Sequence, residues 1–367
     1  MNLSNIFWIG ARESDVNFER MFYGSITRYG TNTNNNIAFC CNNYTDSYDE
    51  FLANSLSHVL DIVPNCKFIF GNSLYAYKFG KKIFDNTLCL NKLSVLETLN
   101  NKIFFRQLVS DIVNIPQSIV LNFHHDIDYE FINSIFSNSY VNYVVQSPNS
   151  GGGEETYLLT SETSIKDLEI FSKQMLVTPF FQNSIPINVH IALSDEEIRI
   201  FPPSVQLVSD LFHYTGSDFI KYKTLDYDIK EKIISQCSCV ARKIQSLGAR
   251  GLFGVDILIH NNKIYFIECN FRYQGSSFLL NKALIAHTMP SVFEIHSLSF
   301  CNELYKIPID VFNLNVNYSS FRRTLNNRTI ELPEPKQIKY DGNHKDTLRN
   351  GYMHYEVFDK SIFEILK

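Results

Sequence analysis

The sequence predicts a protein of mixed α/β and α+β class with two or three domains. The chain has 367 residues, more than the roughly 100 to 200 residues of a typical domain. Hydrophobic residues make up 45% of it and charged residues only 19%, so it can bury a sizeable core. Short apolar runs alternate with helix-length segments near the N-terminus, and β-rich runs flank turns further along. This order favours a parallel α/β unit followed by hairpin-containing α+β units.

Residues 1–92 are predicted to form a small α/β domain. Apolar runs occupy residues 6–9, 37–40 and 67–70, and a glycine follows the first and the third. Helix-length segments separate these runs. Short, glycine-ended apolar runs with this spacing are typical of buried parallel strands.

A second unit is predicted over residues 93–177. Residues 92–112 fit one helix, and a proline shortly afterwards ends it. The β-rich runs at 141–145 and 156–159 flank the sequence Ser-Gly-Gly-Gly at 150–153. The glycines are therefore expected at the tip of a β-hairpin.

A third unit is predicted over residues 178–300. Residues 230–247 place apolar side chains at helical spacing. Two β-type runs, at 255–259 and 264–269, flank the sequence His-Asn-Asn-Lys and predict a second hairpin. The remaining residues, 301–367, are expected to pack on this unit as a C-terminal segment.

Two carboxylates and one amide lie on this second hairpin. Asp256 and Glu268 are twelve residues apart, so they pair across the hairpin only if the turn has an odd number of residues. A two-residue turn would put Glu268 on the opposite face, so a three-residue turn is needed to bring the carboxylates together. Asn270 then shares the face of Glu268 by alternation. Three such oxygen donors suit Mg²⁺, which shares its ligands with nucleotide phosphates.

An ordinary, solvent-facing hairpin is the alternative for Asp256 and Glu268. The residues around them are apolar on both faces, which indicates that both strands are buried. Because unpaired buried carboxylates are costly in free energy, the sequence favours a metal ion or a cationic partner here.

The glycine-rich run at 150–153 is the second feature that points to chemistry. Consecutive glycines let backbone N–H groups approach a phosphate without obstruction by Cβ atoms. A flexible turn is an equally ordinary reading of such a run. The run matches neither a Walker A motif nor G-x-G-x-x-G, because no Gly-Lys-Ser/Thr follows it.

The order of these features resembles the ATP-grasp superfamily over roughly residues 90–290. The most specific part is Gly254-Val255-Asp256 followed by Glu-Cys-Asn-Phe-Arg-Tyr-Gln at 268–274, which looks like the metal-binding segment of biotin carboxylase and carbamoyl-phosphate synthetase. The resemblance implies an ATP-grasp fold with an N-terminal Rossmann-like domain. It also implies that ATP lies between two α+β subdomains, at 93–177 and 178–300.

The resemblance assigns roles to particular residues. It implies two Mg²⁺ ions, with Mn²⁺ as an alternative, on Asp256, Glu268 and Asn270, and a contact of Arg272 with phosphate or an acyl intermediate. The residues implied for ATP binding are Lys102, Gln146, Ser150, Gly151, Gly152, Gly153, Pro179 and Phe181.

Several of these positions have plainer alternatives. Lys102 on a helix is as consistent with a solvated face. Asn188 and His190 share one face of an apolar strand and Gln206 follows nearby, so these three are candidates for substrate binding. A single histidine is more often structural than functional.

One position departs from the family pattern. Where the family carries a second lysine before the glycine-rich run, this chain has Gln146, which can hydrogen-bond but adds no charge. Glu154 and Glu155, directly after the glycines, make the loop less cationic still. The departure keeps open a non-catalytic, nucleotide-binding protein.

The function implied by the resemblance is an ATP-dependent carboxylate–amine ligase. Such an enzyme forms an acyl phosphate, joins it to an amine, and releases ADP and phosphate. Amino acids or small peptides, as in natural-product biosynthesis, are the favoured substrates, and a bicarbonate-using carboxylase is a further alternative.

Composition argues against other partners. Lys and Arg number 33 against 38 Asp and Glu, so the net charge of −5 offers no basic field for nucleic acid. No window has the about 18 consecutive apolar residues of a membrane span. A secretory signal requires a basic residue before its apolar run, and none precedes the first apolar run here. A cytoplasmic protein is expected, and a homodimer is left open.

Overall fold

The computed structural model describes residues 5–12, 21–29, 37–41, 47–122, 128–163, 168, 172–209, 212–325 and 352–365. These residues form three sheets, and helices pack against them. Part of the predicted C-terminal segment, at 326–351 and 366–367, lies outside the described residues. Among the described helices, none combines the length and apolar content needed to cross a membrane.

The N-terminal sheet is parallel, as the sequence predicts, and has four strands in the order β3-β2-β1-β4. The strand β2 is not among the predicted runs, because Ser25, Thr27 and Arg28 interrupt its apolar residues. Ser25 and Thr27 are nevertheless fully buried. The elements are β1 (Ile6–Arg12), β2 (Gly24–Tyr29), β3 (Ile37–Cys40), α1 (Tyr48–Ile62), β4 (Lys67–Phe70) and α2 (Lys81–Phe84).

The single helix predicted over 92–112 is wrong, because two helices occupy this region. They are α3 (Leu93–Asn100) and α4 (Lys102–Val109). Asn101 between them is extended, and its side chain accepts hydrogen bonds from the backbone N–H groups of Ile103 and Phe104. Asparagine is a preferred N-cap residue, so it ends one helix and begins the next.

The middle sheet is antiparallel, with the strand order β5-β8-β6-β7. The strands β6 and β7 form the predicted hairpin, with the glycine-rich run at its tip. The elements are β5 (Ile119–Asn122), α5 (Tyr129–Ile135), β6 (Tyr143–Gln146), β7 (Thr156–Leu159) and β8 (Gln174–Pro179).

The large sheet has eight strands, ordered β14-β13-β9-β11-β12-β15-β16, with β10 paired to β9. The C-terminal strands β15 and β16 extend this sheet at the β12 edge. Its strands are β9 (Ile185–Leu193), β10 (Ile198–Ile200), β11 (Ser204–Val208), β12 (Tyr214–Asp218), β13 (Gly251–His260), β14 (Lys263–Asn270), β15 (Ser319–Leu325) and β16 (Tyr352–Phe358).

Helices cover both faces of the large sheet. The helix α7 (Tyr227–Gln245) buries Ile233, Cys237 and Val240 together with α3 and α4 on one face, which confirms the predicted helical pattern. The helices α8 (Ser277–Ala286) and α9 (Val292–Phe300) pack on the other face. Two short helices complete the chain: α6 (Phe219–Lys223) and α10 (Ile362–Ile365).

A buried aspartate fixes the C-terminal helix to the large sheet. Asp218, at the end of β12, is 0% exposed. One of its oxygens accepts from the Lys221 backbone N–H at 2.7 Å. The other accepts from Ser361 Oγ at 2.6 Å and from the Ile362 backbone N–H at 2.8 Å. This carboxylate therefore caps α6 and α10 at the same time.

We expect Asp218→Ala to lower the free energy of unfolding by about 3 kcal/mol, because three donors, two of them buried, lose a charged acceptor. Urea unfolding measures the change. Asp226→Ala is the matched control: Asp226 precedes α7 as its N-cap residue, but its side chain makes no capping bond. Equal losses in both variants would contradict the role of Asp218.

Candidate active site

The strands β13 and β14 are joined by a two-residue turn. His260 pairs with Lys263, and Asn261 and Asn262 both have positive φ angles, of 50° and 58°. Asparagine tolerates this left-handed backbone, which a tight hairpin turn requires. The three-residue turn predicted from the sequence is therefore wrong.

A β-bulge brings the two carboxylates together despite the short turn. Asp256 pairs with Glu268, whereas the next residue, Ile257, pairs with Phe266. Ile267 is thus an extra residue on β14, and it shifts the register by one. Asp256 and Glu268 are cross-strand neighbours, as the sequence predicts, but the bulge rather than the turn makes them so.

Amide side chains surround the two carboxylates. Asn270 Nδ2 donates to Asp256 Oδ2 at 2.7 Å and to Glu268 Oε1 at 2.9 Å. The other oxygen of Asp256 accepts from Asn188 Nδ2 at 2.6 Å and from Gln206 Nε2 at 3.1 Å. Four strands, β9, β11, β13 and β14, therefore contribute to one polar cluster.

The pKa values of the two carboxylates are shifted in opposite directions. Burial, and then the negative charge of Glu268, raise the pKa of Asp256 above its ordinary value. Burial also opposes ionisation of Glu268, but the charge of Lys102 and then the Asn270 hydrogen bond bring the Glu268 pKa below its ordinary value. A close pair of partly buried carboxylates is suited to a divalent cation.

The donor set fits Mg²⁺ through oxygen atoms alone. Among the described residues, no group of three or more His, Cys, Asp or Glu side chains could hold a metal ion. The third donor is the Asn270 amide oxygen, which here accepts from Arg272 Nη1 at 2.5 Å. Asp256, Glu268 and Asn270 could thus hold Mg²⁺.

Lys102 is a buried part of this cluster rather than a solvated helix residue. It is the first residue of α4 and is 5% exposed. Its Nζ lies 3.1 Å from Glu268 Oε2 and donates to the carbonyl oxygen of Ser150. Lys102 therefore connects the glycine-rich loop to the acidic pair.

A cavity of about 1350 Å³ opens between the middle and large sheets. Its wall includes all the residues predicted to bind ATP or metal, together with Gln206 and the segment between β8 and β9. The predicted residues in the wall are Lys102, Gln146, Ser150, Gly151, Gly152, Gly153, Pro179, Phe181, Gln206, Asp256, Glu268, Asn270 and Arg272.

Two predicted substrate contacts lie behind this wall. His190 is buried, its Nε2 lies 2.9 Å from Ser277 Oγ, and burial lowers its pKa to about 3, so it stays neutral. Asn188 reaches the site only through Asp256 and the neighbouring Gln274. Both side chains hydrogen-bond residues at the start of α8, Ser276 and Ser277, so this face of β9 packs against α8.

Sequence comparison finds that residues 99–276 match the family model of the ATP-grasp domain. This chain contains an ATP-grasp domain. The family comprises ATP-dependent, ADP-forming ligases that use ATP with Mg²⁺. No curated protein matches the sequence directly.

Solved structures share the ATP-grasp fold over most of the chain. Biotin carboxylase from Campylobacter jejuni, in complex with β,γ-ATP, has a TM-score of 0.71 at 13% identity, over 96% of this chain and 87% of that one. N5-carboxyaminoimidazole synthetase from Staphylococcus aureus, in complex with ADP, has a TM-score of 0.61 at 14% identity. The match covers 99% of this chain and 97% of that one. L-amino acid ligase from Bacillus licheniformis has a TM-score of 0.57 at 10% identity. The match covers 88% of this chain and 80% of that one.

The glycine-rich loop of the ATP-grasp domain closes against the large sheet. The Tyr214 backbone N–H donates to the Gly152 carbonyl oxygen at 3.4 Å. A Cβ atom at Gly153 would overlap the Phe212 carbonyl oxygen, and one at Gly151 would overlap the Arg272 guanidinium. The absence of side chains on these glycines therefore lets the loop lie close to Phe212 and Arg272.

Sequence reasoning missed several polar residues of the cavity wall, among them Arg106 and Gln274. Arg106 lies four residues after Lys102, a spacing that puts both on one face of a helix and could have indicated it. Gln274 accepts from Asn188 Nδ2 at 2.6 Å. It lies in the loop after β14, where strand alternation no longer predicts direction.

We expect Glu268→Gln to remove the Mg²⁺ dependence of ATP binding, because a neutral amide cannot balance a divalent cation. Calorimetric titration with ATP, with and without Mg²⁺, measures this dependence. Glu303→Gln is the control, since Glu303 pairs with Lys306 at the surface. Retained Mg²⁺ dependence in the Glu268 variant would show that the metal site lies elsewhere.

We expect Gly153→Ala to weaken ADP binding by about tenfold, because the methyl group pushes the loop from its place over the cavity. Gly152→Ala is the matched control: its φ of +70° resembles the +89° of Gly153, but no atom lies within 4 Å of its added Cβ. ADP titration of both variants separates the steric effect from backbone strain. Equal weakening would contradict the steric explanation.

Proposed function

We propose that this protein is a carboxylate–amine ligase that uses ATP to form an amide or peptide bond. The observation that carries the proposal is the pairing of Asp256 and Glu268 in the wall of the ATP-grasp cavity, with Asn270 between them. Lys102 and Arg272 lie beside this acidic group. Carboxylates for a metal ion and cations for phosphate are thus combined at one place.

The proposed reaction has two steps. An oxygen of the substrate carboxylate attacks the γ-phosphorus of ATP, the bond from that phosphorus to the bridging oxygen breaks, and ADP leaves. The amine nitrogen of the second substrate then attacks the acyl carbon. Phosphate leaves, the nitrogen loses a proton, and the amide remains.

The residues of the chain act by position and charge. Mg²⁺, when bound, neutralises charge on the β- and γ-phosphates. Lys102 and Arg272 supply further positive charge next to it. The loop at 150–153 lines the cavity, and we propose that it keeps water from a reactive acyl phosphate. No side-chain nucleophile is needed. Cys269, between two metal-binding residues, is buried in the core on the opposite face of β14.

Amino acids or small peptides are the proposed substrates. The fold likeness to an L-amino acid ligase supports this class. The likeness to biotin carboxylase supports a second candidate, in which bicarbonate takes the place of the carboxylate. The neutral Gln146 in the cavity wall supports a third, a protein that binds nucleotide without turnover.

One assay separates the three candidates. The protein is incubated with ATP, Mg²⁺ and pools of amino acids and dipeptides, with or without bicarbonate, and ADP and phosphate are measured. We expect release that depends on a carboxylate and an amine and that Glu268→Gln abolishes. Release that needs bicarbonate and no amino acid would favour the carboxylase, and nucleotide binding without release over a broad panel would favour the non-catalytic binder.

A further inference from the structure

A buried arginine in the cavity wall has no part in the site described so far. Arg106 lies one turn after Lys102 on α4, and its side chain is 2% exposed. Its Nε donates to the Ile267 carbonyl oxygen at 2.8 Å. Ile267 is the extra residue of the β-bulge that sets Asp256 opposite Glu268. Arg106 thus touches the backbone distortion on which the acidic pair depends.

Most donors of this guanidinium are unused. Within the described part of the chain, its bond to Ile267 is the only hydrogen bond of the side chain, and Nη1 is buried without an acceptor. Burial lowers the pKa of Arg106 to about 10, against the charge of Glu268, which raises it. The group therefore remains charged at neutral pH. A buried charge with unsatisfied donors is costly unless an anion joins it.

The other polar and cationic residues of this wall differ from Arg106. Lys102 contacts Glu268 and the Ser150 carbonyl oxygen, and Arg272 donates to Asn270. Gln146, in the same wall, is neutral. Lys221 also lines the cavity but is partly exposed to solvent. Arg106 is thus the buried cation of this wall whose donors are left for a ligand.

We propose that Arg106 is a phosphate-binding residue of this cavity. Its Nη groups donate to phosphate oxygens of the bound nucleotide, while Nε keeps its bond to the Ile267 carbonyl oxygen. Charge-assisted, paired N–H donors are the preferred partners of phosphate. The identity of the ligand as a nucleotide rests on the proposed function, but the test below measures binding and needs no turnover.

The test compares ADP with adenosine, which carries no phosphate. Arg106→Gln removes the charge and keeps an N–H donor for Ile267, whereas Arg106→Lys keeps the charge. We expect Arg106→Gln to weaken ADP binding by about tenfold or more and to change adenosine binding by less than about twofold. Arg106→Lys keeps the charge but not the paired donors, so it should retain part of the ADP affinity. Adding Gln146→Lys to Arg106→Gln should restore part of it.

Other outcomes would overturn the assignment. Equal weakening of ADP and adenosine would show that Arg106 only supports the bulge, and unchanged ADP affinity would show that it meets no phosphate. Thermal unfolding checks that each variant is folded. If Arg106→Gln does not fold, Arg106→Lys decides, because equal weakening of ADP and adenosine binding in that folded, charged variant contradicts the proposal. A wild-type protein that binds ADP without ligase turnover overturns the proposed function alone, and one that binds no nucleotide overturns both.

Discussion

The close approach of two carboxylates in the cavity wall is the constraint around which the rest of the site is arranged. Asp256 and Glu268 repel each other, so their surroundings must supply donors and positive charge. Asn188, Gln206 and Asn270 supply the donors from three strands. Lys102 supplies the charge from a helix that belongs to another part of the chain. The cluster therefore exists only when the sheet and α4 are assembled.

Cations also couple the two walls of the cavity. Lys102 contacts both Glu268 on the large sheet and the Ser150 carbonyl oxygen on the glycine-rich loop. Arg272, next to Asn270, lies against Gly151 of the same loop. Movement of the loop must therefore change the environment of the acidic pair. The two cations thus link the position of the glycine-rich loop to the acidic pair physically.

The fold limits the chemistry but not the substrate. Neighbours with the same fold include a biotin carboxylase, an N5-carboxyaminoimidazole synthetase and an L-amino acid ligase, at identities of 10 to 14%. Fold and function are separable at this distance, because function resides in the side chains of a site.

The sequence alone determined the hairpins, the long helix α7 and the residues of the acidic pair, because these depend on local periodicity and on the cost of burying charge. It could not determine how Asp256 meets Glu268. The Asn261-Asn262 turn is local, but the compensating bulge at Ile267 is held by Arg106 from α4, 161 residues away along the chain. The burial of Lys102 and the position of His190 outside the cavity likewise follow from packing between distant elements. Only the tertiary structure could decide them, since no local pattern records which element will cover a side chain.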